Sequence, residues 1–458
     1  MEKIYDVIII GAGISGLSTA HFIKKLSPSL EVMILEASGR AGGAIQSFHQ
    51  DGFLAEWGPH GFLDNAAESR EILEDTGLYS EAQQAPLGDF HRYVCHRGRL
   101  VQIPQKPKKI LFTPLLPFWG KLRVLGDLWI KPDPKDQTLG QWAGRRFGKS
   151  VLPLVDAVVT GSYSGDFNLL SIDSVMPGLR KLECEHGSVI RALIRKMKEK
   201  KGSVKKRLPA MNNFPQGLDR LVEVLVQGKN IAFDSGVTAI NMVNDQWRIT
   251  TAKEMFAAKN IVMALPVNSG LKILSAIKKP PIAQIPVSRI CNVVLGFEAS
   301  AKVPYGFGYL APESEKRFTL GVLFSSHMFP NRAPEGKVLM EALVGGRRHP
   351  ERLELSDQEI ISSVCQDIRQ LMELPEKPLF AKVLRPASAI PQLEMDHPKM
   401  LTYRAGLEQG NKGLYICGFG WDGVGINDMV KSARKAAVAI SAGGRGEEGA
   451  APIKPVYF

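Results

Sequence analysis

A chain of 458 residues, 44% hydrophobic and 23% charged, is too long for one ordinary domain and is apolar enough to build two or three. That composition excludes general disorder, collagen and coiled coil, and no stretch of 18 residues is free of charge, which argues against a membrane-spanning helix. The net charge of +12 is uneven: residues 92–149 hold 13 Lys/Arg against 3 Asp/Glu, and 180–207 hold 11 against 3. A basic surface of this kind suits anionic lipid, nucleic acid or an acidic small molecule. No nucleic-acid motif accompanies it, so no nucleic-acid partner is expected.

In chain order, the β-branched run Val7-Ile8-Ile9-Ile10 predicts a buried parallel strand. Gly11-Ala12-Gly13-Ile14-Ser15-Gly16 follows at once, then a helix over Leu17–Leu26 that stops before Pro28. Val32–Leu35 is the second strand, ending in Glu36, so the opening has βαβ order. Residues 90–210 are basic and proline-rich, with helices expected at 119–129, 137–147, 150–160 and 186–200. The charge run Lys196–Arg207 reads as a loop tip. A helix over 217–227 leads to strands Ile231–Phe233, Val237–Val243, Trp247–Thr251 and Ile261–Leu265. Between 285 and 390, strands at Cys291–Phe297, Gly306–Leu310, Thr319–Phe324 and Leu339–Val344 precede a helix over 356–373. A strand over Gly413–Cys417, a helix over Gly425–Ile440 and a flexible tail, 446–458, close the chain. Cys95, Cys184, Cys291, Cys365 and Cys417 are odd in number and contain no CxxC, which argues for a reducing compartment and against structural zinc. The start shows no signal-peptide pattern, and the nine histidines show no metal-ligand pairing, so no metal is expected.

The glycine-rich turn has a strand before it, a helix after it and an acid at the end of the next strand, a combination that points to a dinucleotide. Gly11 allows the tight turn, Gly13 lets backbone approach a pyrophosphate, and Gly16 permits close helix–strand contact. Ile14 and Ser15 open the helix, whose N-terminus faces phosphate charge. Glu36, followed by Ala37, accepts from ribose hydroxyls and disfavours NADP. Gly39-Arg40-Ala41-Gly42-Gly43 tips the choice toward FAD, with Arg40, Gly42 and Gly43 extending the phosphate contacts. The later Gly418-Phe419-Gly420-Trp421-Asp422-Gly423 has no strand after it, so it returns to the first domain. The helix N-terminus after it, near Gly425, can face a reduced flavin.

These residues make the chain resemble the flavin amine oxidase superfamily. Within it, the chain resembles the oxygen-dependent protoporphyrinogen/coproporphyrinogen oxidase family. The narrower likeness rests on Phe53-Leu54-Ala55-Glu56-Trp57-Gly58-Pro59-His60-Gly61-Phe62, Glu185-His186-Gly187-Ser188, Gly306–Pro312, Gly423–Asp428, and Ile390-Pro391-Gln392 with His397. The resemblance implies three parts. One is an FAD-binding Rossmann-like domain (1–88, 213–275 and 399–445). The second is a mostly helical, membrane-associated domain (89–205). The third is a mixed-sheet substrate domain (276–398, with strands near 48–56). It also implies non-covalent FAD contacts from Gly58 and Pro59 at the ring, Val237 at the adenine side, and Gly418, Trp421, Val424, Gly425 and Ile426 near the ring's pyrimidine edge. The chain departs from the family pattern at His60, Phe419, Ser325, Ser326 and Leu393.

The activity so implied is oxidation of protoporphyrinogen IX by oxygen in heme biosynthesis, removing six hydrogens in three two-electron steps and giving hydrogen peroxide. Because aromatization drives the reaction and the cofactor carries the chemistry, no catalytic side chain is assigned. The substrate-contact candidates are His60, Arg92, Arg180, Phe307, Tyr309 and Arg385. Beside the porphyrinogen and oxygen, the expected partners are an anionic membrane surface on the cytoplasmic side and the next heme-pathway enzyme. Membrane contact is peripheral and uses the apolar stretch Ile110–Trp119 among lysines. Coproporphyrinogen III, another amine or polyene substrate, and a non-catalytic flavin-binding membrane protein are the alternatives. The sequence sets no oligomeric state.

Overall fold

A computed structural model describes residues 3–105, 112–199 and 208–443. Ile110 and Leu111 of the apolar stretch, Lys200–Arg207 of the charge run and the whole 446–458 tail lie outside the described residues.

The first sheet has seven strands. Across it run Ile231–Ala232, Val32–Leu35, Ile4–Ile10, Met255–Met263, Gln246–Thr251 and Val237–Val243. Leu414–Ile416 also pairs with Met255–Met263, in parallel, through residues 261–263. One edge of that nine-residue strand pairs in parallel with Ile4–Ile10, and the other edge serves two partners: its first half pairs antiparallel with Gln246–Thr251, its second half parallel with Leu414–Ile416. The opening strand explains why a run of four aliphatics is needed. Val7 and Ile9 enter one core layer with Leu17, Ile23 and Val430, while Ile8 and Ile10 enter the opposite layer with Ile261, Met263 and Leu414. Both faces are covered, as a parallel strand requires. The helix Ile14–Leu26 packs along the C-terminal helix Ile426–Ser441, which brings the two ends of the described chain together.

The second sheet also has seven strands, in the order Phe380–Leu384, Ile290–Glu298, Lys337–Gly345, Gly321–Leu323, Gly308–Leu310, Arg92–His96 and Arg99–Gln102. The helix Asp357–Arg369 covers one face with Ile360, Val364 and Ile368. The last two strands lie within 89–205, the segment expected as a mostly helical domain, and belong instead to this sheet. Tyr93 and Val94 pair in parallel with Tyr309 and Leu310, a long-range contact that no local pattern announces.

Helices fill 118–199. Leu139–Phe147 begins with a full capping box between Thr138 and Gln141. The helix expected over 186–200 runs over Val189–Glu199, and a separate helix, Pro177–His186, precedes it, Gly187 turning left-handed between the two (φ 72°). A buried ion cluster ties this layer together: Arg146 meets Asp127 and Glu183, and Arg180 meets Glu183 and Asp173.

Candidate active site

A cavity of about 580 Å³ opens where the two sheets meet the helical layer. One end is made by backbone. Gly11 adopts φ 103°, a conformation that L side chains rarely take. A side chain on Gly16 would begin 1.9 Å from the Gly11 carbonyl oxygen, so this glycine seats the helix on the turn. Gly13 differs: a Cβ there would meet no protein atom within 4 Å. The room beside Gly13 is therefore open to a ligand. The second glycine loop closes against the first. The Gly42 N–H donates to the Ala12 carbonyl (2.9 Å), and a Cβ on Gly43 would lie 3.3 Å from Gly13 Cα. The Glu36 carboxylate accepts from the Ala12 N–H (2.8 Å) and the Ser38 N–H (2.9 Å), which fixes it at the cavity wall.

Of the expected cofactor residues, Gly11, Gly13, Ile14, Ser15, Glu36, Gly42, Gly43, Gly58, Pro59, Val424 and Ile426 line this one cavity. Gly58 is forced by Ala44, whose carbonyl oxygen would sit 2.2 Å from any Cβ. Others are near without lining it. The Arg40 guanidinium donates to the carbonyls of Ala41, Gly43 and Ile45, which braces the loop. Ala37 packs toward Gly236, and Val237 packs on the sheet's core. Gly418 (φ 121°) lies against Leu265, and Gly425 caps the Ile426–Ser441 helix. Trp421 is fully buried in that core and away from the cavity wall, because its ring fills the space beside Gly270.

The other end of the cavity is apolar and comes from elements far apart in sequence. Leu310, Leu320, Val322, Leu323 and Leu343 line it, with Ile290, Pro386 and Ile390. Thr160–Ser162 and Ser164 of the helical layer add polar edge, and Met211 and Phe419 complete the wall between the ends. Leu310, Ile390 and Phe419 fall in stretches the sequence singled out, though not as cavity residues; the others carry no sequence motif, so the sequence reading missed them. Of the substrate-contact candidates, His60 and Tyr309 line the cavity. Tyr309 turns its hydroxyl to Thr319 Oγ1 (3.1 Å). Phe307 packs instead with Phe90, Met328 and Phe329 in a separate core. Arg180 is held by Glu183 and Asp173, and Arg385 by Asp357 and the Leu353 and Leu355 carbonyls. Both guanidiniums are committed outside the cavity. Arg92 opens the strand Arg92–His96 opposite Gly308 and is not part of the lining; burial pushes its pKa down.

His60 faces an acid that the sequence reading did not single out. Its Nε2 lies 3.0 Å from Glu341 Oε2. Glu341 interrupts the apolar strand Lys337–Gly345 and is 1% exposed. A charge in such a run is the signal that could have marked it. Burial opposes charge on His60, yet the Glu341 and Glu56 carboxylates together outweigh it and raise the histidine's pKa. Burial likewise opposes charge on Glu341, but His60, Ser325 and Asn292 hold its carboxyl well below the ordinary range.

A Rossmann-like sheet whose two glycine loops meet beside an open Gly13 defines the class: a dinucleotide-binding oxidoreductase with a second sheet closing the site. The model for flavin containing amine oxidoreductases matches residues 14–441, and the chain belongs to that family. It is an FAD-dependent oxidase. Among its relatives is a coproporphyrinogen III oxidase of Bacillus subtilis (strain 168), 28% identical over 456 residues, covering 94% of this chain and 96% of the relative. A chloroplastic protoporphyrinogen oxidase of Nicotiana tabacum is 29% identical, covering 95% and 85%. In fold, the chain is similar to a crystal structure of an Exiguobacterium sp. 255-15 protein, with a TM-score of 0.81 at 21% identity, covering 97% of this chain and 100% of that one.

Proposed function

We propose that this chain oxidises protoporphyrinogen IX to protoporphyrin IX. Three two-electron steps remove six hydrogens, with three oxygen molecules reduced to three of hydrogen peroxide. Bound FAD supplies the two-electron chemistry and returns the electrons to oxygen. The glycine loops and Glu36 would hold its dinucleotide end, and Gly58, Pro59, Val424 and Ile426 its ring end. The protein's own part is to orient a large macrocycle against that ring and to exclude water. The observation that carries the reading is the apolar far wall: among the described lining residues its basic side chain is His60, with no lysine or arginine. Such a wall suits a macrocycle with few carboxylates, since each unpartnered carboxylate is costly to bury. A second reading, coproporphyrinogen III as substrate, draws on the near full-length match to the Bacillus subtilis relative. Under air, kcat/KM for both reduced macrocycles, followed by porphyrin fluorescence, tests the order. A several-fold preference for coproporphyrinogen reverses it, and turnover of neither removes the reading.

The same reading includes peripheral contact with an anionic membrane on the cytoplasmic side. No helix among the described residues is long and apolar enough to cross a membrane. Phe112, Phe118, Trp119 and Trp129 are exposed, with Leu122 and Leu125 half out, and Lys121, Arg123 and Lys131 stand among them. Val189–Glu199 packs on the turn Gly126–Leu128 and adds exposed Leu193, Ile194 and Met197. Aromatic and aliphatic side chains entering the interface beside lysines is the physics of a surface-bound protein. Equal and negligible sedimentation with anionic and neutral vesicles would remove this part.

A further inference from the structure

We propose that Glu341 is a positioning residue that keeps the His60 ring doubly protonated, so that His60 offers the cavity a fixed cationic N–H for a substrate carboxylate. The identity of that anion rests on the porphyrinogen reading; the charge state rests on geometry alone. The two partners sit at a boundary. The Glu341 side chain is 2% exposed and that of His60 15%, so the acid is sealed behind the histidine. Nε2 faces Glu341 Oε2, the Asn292 Nδ2 beside it (3.4 Å) donates to Glu341 and to the Glu56 carbonyl, and among the described residues Nδ1 makes no hydrogen bond within the protein. Glu341 accepts at both oxygens: from Ser325 Oγ at Oε1 (2.6 Å), and from Asn292 Nδ2 and the Glu56 N–H at Oε2. A carboxylate so surrounded by donors stays ionised.

The charged neighbours complete the argument. Glu56, from the strand Phe53–Glu56, is 1% exposed and accepts from Arg332 Nη1 (2.9 Å), Asn213 Nδ2 (2.9 Å), the Leu218 N–H (3.1 Å) and Ser47 Oγ (2.7 Å). Arg332 is 2% exposed. Asn292, from the neighbouring strand Ile290–Glu298, and Asn213 are neutral, and Asn213 also donates to the His60 carbonyl. Two carboxylates and one guanidinium leave a buried deficit of one positive charge, and protonated His60 fills it. A neutral His60, as a general base would require, leaves that deficit inside the protein. The raised histidine pKa follows from the same neighbours. The sign is fixed: the cation is present below the folded-state midpoint and is lost as pH rises through it.

The test uses the holoenzyme with 15N-labelled histidine, the His60 ring signal being assigned by its loss in His60→Gln. In the wild type the midpoint is expected above the ordinary value of about 6.5, and in Glu341→Gln lower than in the wild type by about one pH unit or more. Wild-type KM for protoporphyrinogen should rise as pH passes the midpoint, while His60→Arg stays flat and its permanent charge restores the KM of Glu341→Gln. A wild-type midpoint at or below the ordinary value, or one that Glu341→Gln leaves in place, overturns the proposal; the wild-type value decides even where the variant does not fold. The readout needs no substrate. A raised midpoint in an enzyme that turns over no porphyrinogen sinks the substrate reading and leaves the charge assignment standing, and an ordinary midpoint in an active enzyme does the reverse.

Discussion

The two ends of the cavity are built by opposite means. At the Gly11–Gly16 end the wall is backbone, and its shape depends on side chains being missing. At the His60 end the wall is side chain, and its electrostatics depend on Glu56, Asn292, Arg332 and Glu341 meeting from three strands and a loop. The first end binds by leaving room, which any bulky residue spoils locally. The second works by balanced charge, which any single deletion unbalances at a distance.

Gly13→Val should sharpen that contrast most. The protein leaves space there, so the fold is expected to survive while FAD occupancy falls to near zero, read as flavin per folded protein. Gly16→Val, three residues on, should instead cost the fold, since its side chain meets the Gly11 carbonyl. A Gly13→Val protein with full flavin would break the assignment of this end. At the other end, Arg332→Met should cost on the order of 3–5 kcal/mol by leaving Glu56 buried and uncompensated. Urea unfolding measures this, and an unchanged midpoint would show the network relaxes freely. His60→Ala should keep FAD and lose roughly tenfold in kcat/KM for protoporphyrinogen, the scale of one charged hydrogen bond. Unchanged kinetics would take His60 out of the site. Smallest is the effect expected from Trp119→Ser with Trp129→Ser: a few-fold weaker sedimentation with anionic vesicles and no change in turnover of dispersed substrate.

The cofactor's attachment belongs with the first end. Cys417 closes the strand beside that loop, yet its thiol is fully buried against Thr19 and burial pushes its pKa up to about 12. A thiol so protected is not a nucleophile. Acid precipitation is therefore expected to release all flavin to the supernatant.

Local chemistry made much of the first end legible. The strand, turn, helix and second strand are consecutive, and Gly16 is demanded by the Gly11 carbonyl of the same turn. The opening aliphatic run, the Val237–Val243 strand and the apolar spacing of Ile360, Val364 and Ile368 could be read for the same reason: period and residue type are local properties. Arg40 shows the limit even there. Its place in the loop was readable, but whether its guanidinium turns to a phosphate or to its own loop's carbonyls depends on the path of the chain.

What the sequence by itself determined is the nucleotide-binding half and the family it belongs to, because those features are written in adjacent residues. Only the tertiary structure decided which arginines are spent, that Arg92–His96 joins the second sheet, and that His60 meets Glu341 across 281 positions. The reason is physical. Hydrogen-bonded turns and strand periodicity arise from neighbours along the chain, whereas burial and charge compensation arise from neighbours in space. A lone histidine or a lone glutamate in a sequence carries no mark of the partner that will set its charge.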